Sequence, residues 1–137
     1  MKKATIEEMR AEAIRRMEML GMDKHCISAY KKGNPWMSET QWGMLYEISD
    51  KEVVEKIKEF ETEHKCTVFH VIHNLFEFGE CYSFLYVGEE KDYWDEEMND
   101  LNNGYSFSYV WNKDDDFCSE FGSIGVQQRF GGLVRTA

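Results

Sequence analysis

Eleven residues, Cys66-Thr67-Val68-Phe69-His70-Val71-Ile72-His73-Asn74-Leu75-Phe76, constrain this chain most, because the run is apolar on both of its alternating faces. A strand of that kind needs cover on both sides and reads as the centre of a sheet. Glu77-Phe78-Gly79 then turns the chain into a second β segment, Glu80 to Val87, so the two should pair as an antiparallel hairpin. Pairing about that turn puts Cys81 near Leu75 and Cys66 near the far end of the partner strand, which excludes a Cys66–Cys81 disulfide.

The flanking segments supply the cover. Thr5-x-x-Glu8 spells a capping box, and Ile6, Met9, Ala13, Met17 and Leu20 repeat at helical spacing. That pattern leaves Glu7, Arg10, Arg16 and Glu18 for solvent, with Gly21 as the stop. Asp23 caps a shorter helix through about Lys32, with Cys26, Ile27 and Tyr30 inward. Gly33 to Ser38 reads as a turn around Pro35, the following Gly43 to Ile48 as a short strand, and Ser49-Asp50-Lys51-Glu52 as a second capping box. The helix it opens runs to about Lys65 on a Val53, Val54, Ile57 and Phe60 face, with Glu52 and Lys56 paired on its outer side. Strand, helix and central strand make a βαβ-like unit.

After the hairpin, Gly88 to Gly104 is an acidic connection with a helical turn or two around Tyr93 to Leu101. Tyr105 to Trp111 alternates with period two, placing its aromatic residues on one face and leaving a wetter side. Asn112 to Asp116 is a tight acidic turn before a last strand, Phe117 to Val126. The expected architecture is α+β: two N-terminal helices, the βαβ-like unit, and a mainly antiparallel sheet of about four or five strands, in a single domain spanning 1–137.

Composition bounds the rest. With 42% hydrophobic and 15% aromatic residues the chain is too apolar to stay unfolded. The charged start gives way to acids where a secretory signal would be apolar, and no stretch approaches the length of a membrane span. A cytoplasmic protein without a membrane partner is therefore expected. The four cysteines fit neither a zinc ribbon nor a disulfide scaffold and read as reduced, small core residues. The net charge of −10 is uneven, from +3 over residues 1–33 to −9 over residues 76–137. Such a field disfavours direct nucleic-acid binding, unless the basic N-terminal helices present a separate face, and favours a basic partner.

Several groups are candidates for chemistry. Cys66, His70 and His73 are zinc-type ligands, yet on a regular strand Cys66 and His70 share a face and His73 points to the other, so no single ion is held. Glu89, Glu90, Asp92, Asp95, Glu96, Glu97 and the Asp114-Asp115-Asp116 run offer hard oxygen ligands without EF-hand spacing, so neither metal nor cofactor is expected. The same carboxylates can instead present an interaction face, and Trp36 and Trp94, in connections, can anchor a partner or plug the core. Arg129 and Arg135 pair most simply with surface carboxylates, or bind an anion.

The run Cys118-Ser119-Glu120-Phe121-Gly122-Ser123-Ile124-Gly125-Val126, followed by Arg129-Phe130-Gly131-Gly132-Leu133-Val134-Arg135-Thr136, resembles the C-terminal signature of small uncharacterised proteins of bacterial conjugative elements and phages. The resemblance covers roughly the last twenty residues. It implies a bacterial, cytoplasmic setting and an accessory role such as regulating or inhibiting host machinery, and it transfers no catalytic residue.

No motif specifies a reaction. The function expected from the sequence is a non-enzymatic acidic interaction module that binds a protein, including a basic nucleic-acid-binding protein, through Trp36, Trp94, Glu96, Glu97, Asp114, Asp115 and Asp116. The alternative is a small enzyme or ligand-binding protein with a pocket near His70, His73, Arg129 and Arg135.

Overall fold

The computed structural model describes residues 3–39, 45–76, 79–115 and 117–125. Local signals set the helices. The Thr5 hydroxyl accepts the Glu8 N–H at 3.1 Å and the Glu8 carboxylate accepts the Thr5 N–H at 3.0 Å, which starts α1 (Ile6–Met19). Asp23 caps α2 (Lys24–Lys31) through the N–H groups of His25 and Cys26. Asp50, one residue later than the expected Ser49, caps α3 (Lys51–His64) through the Glu52 N–H. Gly21 and Gly33 follow α1 and α2 with φ of 77° and 89°, a conformation that costs glycine nothing.

Among the described residues, six strands form one mixed sheet in the order β2-β1-β3-β4-β5-β6. At its centre are β3 (Cys66–Phe76) and β4 (Gly79–Gly88), antiparallel from Cys66 opposite Gly88 to Phe76 opposite Gly79. The expected hairpin is present, with Cys81 opposite Asn74, one position from Leu75. β5 (Tyr105–Asn112) and β6 (Phe117–Gly125) continue the sheet antiparallel on one side. On the other side β1 (Met37–Glu39) runs parallel to β3, and β2 (Leu45–Tyr46) pairs antiparallel with β1 at the edge.

The βαβ relation therefore exists, with β1 as its first strand. The sequence places a turn at residues 33–38, but the constraint of Pro35 ends one residue before Met37 enters the sheet. β1 pairs with Val71 to His73, and among the described residues no strand flanks the first half of β3 on that side. There the Val68 N–H donates to Glu61 Oε2 of α3 at 2.8 Å.

Both sheet faces are covered. One core packs α1, α2 and α4 (Trp94–Asn102) against Phe69, Ile72, Leu85 and Val87. The other packs Val53, Ile57 and Phe60 of α3 against Cys66, Val68, Val71, Phe84 and Trp111. Each fully buried residue of this size contributes roughly 1.5–3 kcal/mol over its exposed state. A β-bulge between Val68 and His70 lets neighbouring apolar residues serve both cores. It also reverses the facing expected downstream: Cys66 lies on the α3 side with His73, and His70 lies on the opposite side.

Burial corrects three further expectations. Ile6 is exposed, whereas Arg16, assigned to solvent by its place beside the α1 stripe, is buried. The serine face of β5 is not wet, since Ser106 and Ser108 are buried under the helices. Lys56 lies within 3.4 Å of Glu59 and over the Trp111 ring, while Glu52 approaches Lys113. No helix of the described residues is long and apolar enough to cross a membrane.

Candidate functional site

The acidic connection folds as a short 3-10 turn, Lys91–Tyr93, leading into α4. Its start is pinned by the N-terminal segment: the Ala4 N–H donates to the Glu89 carbonyl, Lys3 pairs with Glu89, and Lys91 pairs with Glu8. α4 then divides by face. Met98 and Leu101 are buried in the core, and Trp94 packs partly buried against the same cluster while its indole N–H donates to the Gly88 carbonyl at 2.9 Å. Trp94 thus plugs the core from the start of the helix, with Lys91 over its ring. Asp92, Tyr93, Asp95 and Glu96 face outward and are exposed.

Glu97 faces inward. Its carboxylate lies 3.0 Å from Nη1 of Arg16, whose Nε donates to Glu12 Oε2 at 2.9 Å. Nη1 also reaches the Tyr86 carbonyl at 3.5 Å, and among the described residues neither Nη2 nor Glu97 Oε2 has a well-aligned hydrogen-bond partner, so the Arg16–Glu97 contact is an ion pair. Two carboxylates thus share one guanidinium where Arg16 is 3% exposed. Burial pushes the Glu97 carboxyl above its ordinary range, against the pull of Arg16. This cluster locks α4 to α1, and the sequence did not reveal it. Its one signal was the four-residue spacing of Glu12 and Arg16.

The outward carboxylates differ. Asp92, Asp95 and Glu96 have no cation within 4 Å among the described residues, because nearby Lys3, Arg16 and Lys91 are already engaged. Asp95 and Glu96 stand in the first turn of α4, where the helix dipole favours them. Tyr93, between Asp92 and that turn, is 54% exposed.

The other expected residues are dispersed. Trp36 packs half-buried on the α1/α2 side, its ring stacked 6.4 Å from His25 and its indole nitrogen buried without a partner. Asp114 and Asp115 are exposed in the β5–β6 turn, their N–H groups held by Asn112 Oδ1. Asp116, Arg129 and Arg135 lie outside the described residues, as does the resemblance-bearing run beyond Gly125.

His70 and His73 do not converge. His70 is 1% exposed, 3.0 Å from Ser38 Oγ and hydrogen-bonded to the Trp36 backbone, and burial pushes its pKa down to about 3. It is a neutral core residue at neutral pH. His73 stacks on Tyr82 at 4.6 Å and lies 3.2 Å from Glu80, which with Asp50 and Glu52 surrounds Lys113. Burial raises the Tyr82 hydroxyl, and the Lys113 contact holds Asp50 below the ordinary carboxylate range. This group joins β3, β4, the β5–β6 turn and the start of α3, elements too far apart in sequence for a motif to connect.

No family model, no curated protein and no solved structure matches the chain.

Proposed function

We propose that this chain is a non-enzymatic interaction module that docks a basic protein surface on the outer face of α4 and the turn before it. The observation that carries this reading is the uncompensated group Asp92, Asp95 and Glu96 beside exposed Tyr93. Carboxylates give such a surface its steering field and its salt dependence. A half-exposed tyrosine adds the apolar area that interface anchors supply at small entropic cost. The inward residues of α4 give the face rigidity, because Trp94, Glu97, Met98 and Leu101 are fixed to the core and to Arg16. The resemblance of the C-terminal run to mobile-element proteins points to a bacterial host protein as the partner. One class it fits is a nucleic-acid-binding protein whose phosphate site accepts carboxylates.

The test titrates the protein against a lysine- and arginine-rich peptide, then recovers partners from a bacterial extract. Wild type is compared with Asp92→Asn/Asp95→Asn/Glu96→Gln and with Tyr93→Ala. Both variants change exposed groups and should stay folded, the charge variant being less stable by about 1–2 kcal/mol because Asp95 and Glu96 favour the first turn of α4. The charge variant should lose peptide binding and its salt dependence, and both should lose the partner. Unchanged recovery by both variants defeats the reading.

A further inference from the structure

Between α2 and α3 the charge balance reverses. A cavity of about 480 Å³ opens between the end of α2 and the first half of α3, and Lys32, Lys51 and Lys58 line it. Its one acid is Glu55. An adjoining cavity of about 290 Å³ shares Lys58 and adds Arg10. The acid of that second cavity, Glu61, accepts the Val68 N–H, and burial holds it above the ordinary carboxylate range against the pull of that bond, Arg10 and Lys58, so it offsets only part of their charge.

In a chain of net charge −10, cations should find carboxylates, and six of the described ones do. Lys3, Arg15, Arg16, Lys56, Lys91 and Lys113 each have one within 4 Å. Arg10, Lys32, Lys51 and Lys58 have none among the described residues, as have Lys24, Lys31 and Lys65, but these four line two openings that share Lys58. Like charges brought together at a concave surface cost free energy that an anion would relieve.

The lining also selects among anions. Asn34 and Ser49 add neutral hydrogen-bonding groups, which suit hydroxyls. Among the described residues, Ile48 and Val54 are the only apolar side chains lining the larger cavity, and no aromatic ring lines it on which a nucleobase could stack. Separate ammonium groups act as point charges and suit a tetrahedral phosphate, whereas a planar carboxylate is matched by a guanidinium fork. The size fits a small ligand, at the lower end of ordinary ligand sites.

From these observations we infer that the α2–α3 cleft is a binding site for a small phosphorylated polyol or sugar, its phosphate held by Lys51 and Lys58 and its hydroxyls by Asn34 and Ser49. The inference is independent of the acidic α4 face and lies on different elements.

Ribose 5-phosphate is the probe, followed through backbone amide resonances at low salt. It should shift Gly33, Asn34 and Ser49 saturably, and unphosphorylated ribose should not. Lys51→Gln and Lys58→Gln, both exposed substitutions, should each weaken binding about tenfold, the loss of one charge-assisted hydrogen bond. Lys24→Gln, an exposed lysine of α2 outside the cleft, should change it less than about twofold by the same scale. No saturable shift up to about 10 mM, well above the millimolar constants of weak ligands, overturns the site. Equal loss in Lys24→Gln also overturns it, reducing the effect to overall charge. Inorganic phosphate binding as tightly as the sugar phosphate overturns the assigned ligand class. Tighter binding of a short single-stranded DNA, with shifts spread over α1 and α2, replaces the site with a nucleic-acid face.

Discussion

His70 ties stability to pH in the direction opposite to that of a histidine that gains an acidic partner on folding. Its ring is 1% exposed, and its pKa falls from 6.5 to about 3 in the folded chain. The unfolded chain therefore binds a proton at His70 below pH 6.5, while the folded chain does not bind it until about pH 3. The stabilising contribution is complete above pH 6.5 and is lost as pH falls through that interval. Each pH unit within it costs about 1.4 kcal/mol, so moving from pH 7 to pH 5 should remove about 2 kcal/mol. Against a typical total of roughly 5–15 kcal/mol, that shifts a urea midpoint by about 1 M.

Glu61 and Glu97, raised by burial, act in the opposite sense, since the folded chain takes up their protons first. The assay must therefore be differential. Urea unfolding of wild type and His70→Gln at pH 7, 6 and 5 isolates the His70 contribution, because the variant keeps the two glutamates and an amide within reach of Ser38. Wild type should lose about 2 kcal/mol more than the variant between pH 7 and 5. Parallel pH profiles would refute the reasoning, as would imidazole resonances of His70 titrating near pH 6.5.

Replacing Arg16 by Met should cost about 3–5 kcal/mol in urea unfolding, because it strands two buried carboxylates, and adding Glu12→Gln and Glu97→Gln should recover most of the loss. Tyr30→Phe removes a 2.5 Å contact between buried hydroxyls of Tyr30 and Thr67, and should lower stability by about 1–2 kcal/mol in the same assay. The Cys26 thiol, pushed up to about 12 chiefly by burial, should resist iodoacetamide at pH 8 until denaturant unfolds the chain, as read by mass spectrometry. Thr5→Ala should cost about 1 kcal/mol by removing the α1 cap.

Features written in short stretches of chain were legible in the sequence. The Thr5–Glu8 box, the Asp23 cap and the β3–β4 hairpin each depend on neighbours within a few residues. The Val68–His70 bulge was not legible, because Val68, Phe69 and Val71 are apolar whichever face they take. That one extra residue decided the histidine geometry, moving His73 to the Cys66 face and His70 away from it. Arg16 was misread for a related reason: a helical pattern shows which side chains leave the apolar stripe, but not that Glu97 of a distant helix will meet one of them. β1 escaped because three residues after Pro35 are too few to carry a period, and its identity as a strand comes from β3 beside it. Of the candidate site, the acidic composition of the α4 region was readable, whereas its division into an anchored inner face and an open outer face needed the packing of Trp94 and Glu97.

The contact of Glu61 with the Val68 N–H has a bearing on how the molecule behaves among copies of itself. A half-open central strand, rich in valine and phenylalanine, is the kind of rim onto which a foreign chain can add and begin an aggregate. Here a carboxylate from the neighbouring helix occupies the donor that an incoming backbone would need first. Any intruder must evict that side chain from the Val68 N–H. Among the described residues, one acid thus stands as a doorstop against strand addition at Val68, beyond the stretch of β3 that β1 covers.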